Sequence, residues 1–183
     1  MKPVRNLVIC GTSGVGKTYL EEALEKKGIS WQLPKYFDRE NRPGERKDKN
    51  ISLSPLEWQR QKDKFFFTLG YSGFNYGWKR SDFPKDKRVS LAITLDSLKR
   101  FVIDNHGFIP ILLWVNKENL VLLKKKMKAR GDTDEKIEQR LILANKEIDK
   151  EDYYRKVVTE NGGIVVLIKN DRTIFDELIP EIR

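Results

Sequence analysis

The chain has 183 residues, 39% hydrophobic and 34% charged, which allows one well-packed soluble domain and little more. A single cysteine excludes an internal disulfide. Neither the start "MKPVRNLVIC" nor any later run has the apolar length of a signal peptide or a membrane span, so a cytoplasmic protein without a membrane partner is expected. The net charge of +9 favours anionic ligands, but the lysines are spread along the chain, with one dense cluster at 124–130. That is the pattern of a solvated basic surface rather than of a nucleic-acid interface.

In chain order, "RNLVICG" is a short apolar run ending in glycine, as in a buried strand. Cys10 in that run reads as a small buried hydrophobe. "KTYLEEALEKKG" follows with Leu20, Ala23 and Leu24 at helical spacing and Gly28 as the stop. "ISWQLPKYF" is extended, since Pro34 disfavours helix, and "RENRPGERKDKN" is a polar loop. "SPLEWQRQKDKFF" predicts a helix with Ser54 as N-cap, Pro55 at the first position and Glu57 at the third. "GYSGFNYGW" reads as strand and turn.

Next come "VSLAITL" and "FIPILLWV" as buried strands around the helix "DSLKRFVIDNHG". "NKENLVLLKKKMKARG" is a helix with a cationic last turn, and "TDEKIEQRLILANKEIDKEDYYRK" a second long helix starting after Thr133. "GGIVVLIKN" is the last strand and "TIFDELIPEI" a closing helix interrupted near Pro180. Alternating strands and helices predict one α/β domain, a parallel sheet with helices on both faces. No apolar interface stripe appears, so a monomer is expected.

Residues 11–18, "GTSGVGKT", complete a G-x-x-x-x-G-K-[ST] pattern between a strand and a helix. Gly11, Gly14 and Gly16 let the backbone of the loop, with Thr12, Ser13 and Val15, turn its amides around phosphate oxygens. The helix N-terminus adds its partial positive charge. Lys17 is expected on the β- and γ-phosphates, and Thr18 on a Mg²⁺ ion bound with ATP.

The interior of this loop resembles that of the guanylate kinase-like family of P-loop (nucleoside monophosphate) kinases. "RENRPGE" at 39–45 resembles the family's R-x-x-R-P-G-E segment, and "SGFNYG" at 72–77 its S-G-N-Y-Y-G segment. "ARGDT" at 129–133 with "IEQRL" at 137–141 resembles its arginine-bearing lid, and Asn170-Asp171 the pair that borders the adenine. These segments come in the family's order and cover nearly the whole chain. The resemblance implies a P-loop NTPase-type sheet flanked by helices. Its core would be 1–34, 88–128 and 145–183, with a small acceptor-binding insertion at 35–87 and a helical lid at 129–144. It implies transfer of the γ-phosphate of ATP to a small phosphorylated acceptor, a nucleoside monophosphate by default. Arg39 and Arg42, with Tyr76, would hold the acceptor phosphate, and bidentate guanidinium suits that task. Arg130 and Arg140, with Lys126, would stabilise charge on the transferring group.

Departures from the family concern the base. Lys35, Phe67 and Thr94 stand where guanylate kinases carry the serine, the glutamate and the acid that read guanine, and Trp78 replaces a further serine. Asn50 or Ile51 stands in place of a tyrosine, and the lid is about one residue short. Phenylalanine cannot accept from the guanine N1 and N2 donors, so guanine is not expected to be read in the usual way. Phe67, Phe74 and Trp78 read equally as core or as a stacking platform. Two other readings stay open: a phosphosugar kinase of the ribose bisphosphate type, and a catalytically silent guanylate kinase-like module that binds protein. A nucleic-acid-dependent ATPase would need further motifs that are missing. His106 reads as a surface loop residue, and Asp96 and Asp104 as capping or solvated groups.

Overall fold

The structure, a computed structural model, describes residues 5–170, 174 and 178–182. Among these, Asn6–Gly11 (β1), Trp31–Gln32 (β2), Val89–Ala92 (β7), Phe108–Trp114 (β8) and Ile164–Leu167 (β9) form one parallel sheet in the order β2-β7-β1-β8-β9. Lys35–Phe37 (β3), Asn50–Ser52 (β4), Phe65–Tyr71 (β5) and Phe74–Lys79 (β6) form a smaller mixed sheet in the order β4-β3-β6-β5. The helices are Lys17–Lys26 (α1), Pro55–Gln61 (α2), Leu95–Asp104 (α3), Leu120–Ala129 (α4), Asp134–Ile148 (α5), Glu151–Glu160 (α6) and Ile179–Ile182 (α7). No helix among the described residues is long and apolar enough to cross a membrane.

The large sheet divides the core in two. From β1, Leu7 and Ile9 join α1, α4, α5 and α7 on one face. Val8 and Cys10 join α3, α6 and the inner face of the small sheet on the other. Both faces are covered, so the strands are apolar throughout rather than alternating. Cys10 is fully buried and its thiol is pushed up to about 12 by that burial, the state of a structural rather than a reactive thiol.

Two elements differ from the expectation. The helix predicted through Phe66 ends at Gln61, and after a single 3₁₀ turn Phe65 and Phe66 open strand β5. Aromatic packing decides this: Phe65 stacks on Trp58 at 4.8 Å, and Phe66 packs at 5.5 Å from Phe83 and 6.4 Å from Phe108. The long helix predicted from Thr133 is broken at Asp149 and Lys150. Ile137 and Ala144 of α5 belong to one side of the sheet, and Tyr154, Val157 and Val158 of α6 to the other. A straight helix could not serve both. Of the closing segment, 174 and 178–182 are described, with α7 at Ile179–Ile182.

Candidate active site

β1 runs into the loop 11–16 at the C-terminal edge of the parallel sheet, and α1 starts at Lys17. Gly11 has φ 151°, and a Cβ there would lie 2.5 Å from the Leu113 carbonyl oxygen. Gly16, with φ 113°, makes the left-handed entry to α1. Both positions require glycine. Lys17 folds back over the loop, its Nζ donating to the carbonyl oxygens of Gly11 (2.5 Å) and Thr12 (2.9 Å). Burial pulls the Lys17 ammonium down to about 8, against the opposing field of Glu147.

The loop opens onto a cavity of about 270 Å³. Its lining combines Gly11, Ser13, Gly14, Gly16, Lys17 and Thr18 with Lys35, Arg39, Arg42, Tyr76, Trp78 and Thr94, and with Lys126, Arg130 and Arg140. Segments up to 136 residues apart thus meet at one surface, as the separation of Gly11 and Glu147 measures. Among the described residues seven cationic side chains line it, against the carboxylates of Glu45 and Glu147. Such a surface suits a polyanion.

The arginine turn is pre-formed. Arg39 makes a two-pronged ion pair with Glu45 (2.9 and 2.7 Å), donates through Nε to the Tyr76 hydroxyl (3.3 Å), and lies 4.1 Å over the Phe37 ring. Glu45 also accepts from the Arg42 backbone N–H at 2.9 Å, which closes the Pro43-Gly44 turn. Burial raises the Glu45 carboxyl, but these donors outweigh it and hold the group below the usual carboxylate range. Burial, and the like charges of Arg39 and Arg140, lower the pKa of Arg42. Opposite, Asp132 joins the two arginines of the α4–α5 hairpin: it accepts from Arg130 Nε at 2.7 Å and from Arg140 Nη1 at 2.6 Å. Burial pushes Lys35 down as well, with Glu21 and Glu45 opposing.

Not every expected residue lines the cavity. Phe67 is a correction: it packs edge-on to Phe101 at 4.8 Å, lies 6.2 Å from Trp78, and sits beneath the Arg100 guanidinium. It belongs to the core because the β5 register pairs it with Trp78, one step deeper than Leu69 and Tyr71, which do reach the cavity. The side chains of Thr12 and Val15 are buried beneath the loop backbone, and Asn170, exposed after β9, is not among the lining residues. Asp171 lies outside the described residues. Sequence reasoning missed the carboxylate role of Glu45, the Asp132 bridge, and Glu147. For Glu45 and Asp132 a signal existed, since each stands within three residues of an arginine in a turn.

The fold matches, with a TM-score of 0.69, a crystal structure of guanylate kinase from Anaplasma phagocytophilum; the match covers 98% of this chain and 85% of that one at 15% identity. The fold is that of a guanylate kinase. A guanylate kinase from Deinococcus radiodurans is 28% identical to it over 164 residues, covering 85% of this chain and 68% of the relative. No protein-family model matches the chain. In this guanylate kinase-like frame, the loop, the arginine turn and the α4–α5 hairpin surround a single cavity.

Proposed function

We propose that the protein is an ATP-dependent kinase that moves the γ-phosphate of ATP onto a small acceptor already bearing a phosphate. One observation carries this reading: a single cavity is lined by the phosphate loop with Lys17, by the arginine turn with Arg39 and Arg42, and by Arg130 and Arg140. Bringing two phosphates together for in-line transfer requires their repulsion to be neutralised, and there is little else for the protein to do. Backbone amides of the loop and Lys17 hold the donor; Arg39, Arg42 and Tyr76 hold the acceptor phosphate; Arg130, Arg140 and Lys126 stabilise charge on the group in transit. Among the described residues no cluster of three His, Cys, Asp or Glu side chains could hold a metal by itself. Mg²⁺ fits none the less, since it binds through substrate phosphates, water and few protein oxygens, here the Thr18 hydroxyl. Bound so, it would neutralise phosphate charge.

The acceptor is a nucleoside monophosphate or a phosphosugar, and guanine is disfavoured. Of the two carboxylates on the cavity among the described residues, Glu45 is committed to Arg39, and Glu147 faces Lys17. Neither is offered to the N1 and N2 donors of guanine. Lys35 adds a donor-only cation, which suits an acceptor rich in oxygen and supports the phosphosugar reading. A coupled ADP-release screen across nucleoside monophosphates and phosphosugars tests the proposal. Turnover with at least one acceptor is expected, with GMP slower in kcat/KM by about two to four decades. ADP release with none would overturn the kinase reading, and efficient GMP turnover would overturn the exclusion of guanine.

A further inference from the structure

Just ahead of β4 stands a buried lysine, Lys49, whose side chain is 2% exposed. Its ammonium pairs with Glu25 Oε1 at 2.6 Å, donates to the Gln32 carbonyl at 2.7 Å, and lies 3.3 Å from the centroid of the Trp31 ring. Glu25, in the last turns of α1, is as fully used. Its Oε1 also accepts from the Gln32 N–H at 3.3 Å, and its Oε2 pairs with Arg46 at 2.6 Å. A buried ion pair adds little stability over an apolar pair of similar size, but a fully satisfied network permits one arrangement.

The pair joins two parts of the cavity wall. On one side, α1 opens with Lys17 at the phosphate loop, and Glu25 follows eight residues later, about 12 Å along the same helix. On the other, the Lys49 carbonyl accepts from the backbone N–H of Lys35, which lines the cavity, at 2.8 Å. The Arg46 carbonyl accepts from the N–H groups of Lys49 (3.1 Å) and Asn50 (2.8 Å), and Arg46 directly follows Glu45, which clamps Arg39. Ser52 of β4 donates to the Arg39 carbonyl. The arginine turn is therefore bonded to the segment 46–52, and Lys49 pins that segment to α1.

In-line transfer is sensitive to displacements of about 1 Å between its two reactants. We propose that Lys49 is a positioning residue: paired with Glu25, it fixes the arginine turn to the helix of the phosphate loop and so sets the spacing between the two phosphate sites. The proposal rests on the kinase reading of this cavity and adds the device that holds its donor and acceptor sides in register.

Calorimetric binding of adenosine 5′-tetraphosphate and of ADP, each with Mg²⁺, tests it on the whole protein. The tetraphosphate chain can run from the loop toward the arginine turn without any acceptor base, whereas ADP engages the loop side alone. In the wild type the tetraphosphate should bind at least about tenfold more tightly than ADP, because the arginines add charged hydrogen bonds. In Lys49→Met that advantage should fall by about tenfold while the affinity for ADP holds. Should Lys49→Met not fold, the double variant Lys49→Met/Glu25→Leu removes both charges of the buried pair, keeps apolar packing, and should lose the same advantage. The full advantage retained in a folded variant, whatever its melting temperature, would show a purely structural pair and overturn the proposal. An equal loss for both ligands would overturn it too. Tetraphosphate binding no tighter than ADP in the wild type would overturn the proposal and leave nucleotide binding standing. No binding of either ligand is the separate signature of a failed kinase reading, and it would overturn both.

Discussion

Lys17 donates to two loop carbonyls, partners that it can exchange for phosphate oxygens while the glycine backbone stays in place. Lys17→Ala should therefore leave the melting temperature nearly unchanged and reduce kcat by roughly two or more orders of magnitude, since the charge acts chiefly in the transition state. Near-normal turnover in the folded variant would sink the kinase reading. The two arginines of the turn should behave differently. Arg39 is fixed by Glu45, Tyr76 and Phe37, so Arg39→Lys loses a fork and a stacking surface and should cost stability as well as activity. Arg42 contributes only its backbone N–H to that clamp, and its guanidinium faces Arg39 and Arg140. Arg42→Ala should raise the acceptor KM by about 10–100-fold with the nucleotide KM nearly unchanged. Equal losses on both substrates would show that the turn does not serve the acceptor. These residues were legible in the sequence because each stands in a short local motif. Glu147 was not, because it reaches the cavity only once α5 has packed beside a loop whose first residue, Gly11, lies 136 residues earlier.

At the scale of elements, legibility followed how local the determining contacts are. The start of α2 is a capping box: Ser54 Oγ accepts from the Glu57 N–H at 3.3 Å, and Glu57 accepts from the Ser54 N–H at 2.8 Å. Four consecutive residues contain the whole signal. Ser54→Ala should cost about 1 kcal/mol, and the melting temperature should fall by about 2–4 °C. The cap is remote from the cavity lining, so turnover should hold; a loss of activity without loss of stability would contradict that separation. The β5–β6 hairpin is local too, with Ser72 at φ 53° and Gly73 at φ 80° forming the two-residue turn between Tyr71 and Phe74. The end of α2 and the break between α5 and α6 were not legible. Phe65 and Phe66 are strand residues because of rings from Trp58, Phe83 and Phe108, and the break exists because two faces of a sheet need covering. Helical spacing in the sequence carries neither fact.

For the whole molecule, gathering cations around one cavity leaves buried carboxylates beneath it, and these set the dependence of stability on pH. Glu21 of α1 is 3% exposed, and burial pushes its carboxyl from 4.5 up to about 7, with Lys35 and Lys17 only partly offsetting the burial. It accepts from Gln32 Nε2 at a weak 3.5 Å. Between pH 4.5 and 7 the folded chain holds this proton and the unfolded chain does not, so stability falls as pH rises through that window. Glu147, also raised by burial, acts in the same direction. Glu45 and Asp132 act in the opposite one: held low by arginines, they stabilise the fold above their ordinary values and lose that contribution as acid protonates them. Stability should therefore peak on the acid side of neutrality, between these two limbs. Glu21→Gln keeps the shape and removes the charge. It should stabilise the protein by about 1–3 kcal/mol at pH 8, have little effect near pH 4.5, and flatten the alkaline limb of a melting-temperature profile. A variant that melts lower than the wild type at pH 8 would show that Glu21 is needed as a counter-charge for Lys35 and Lys17, and that the field of the cations outweighs burial.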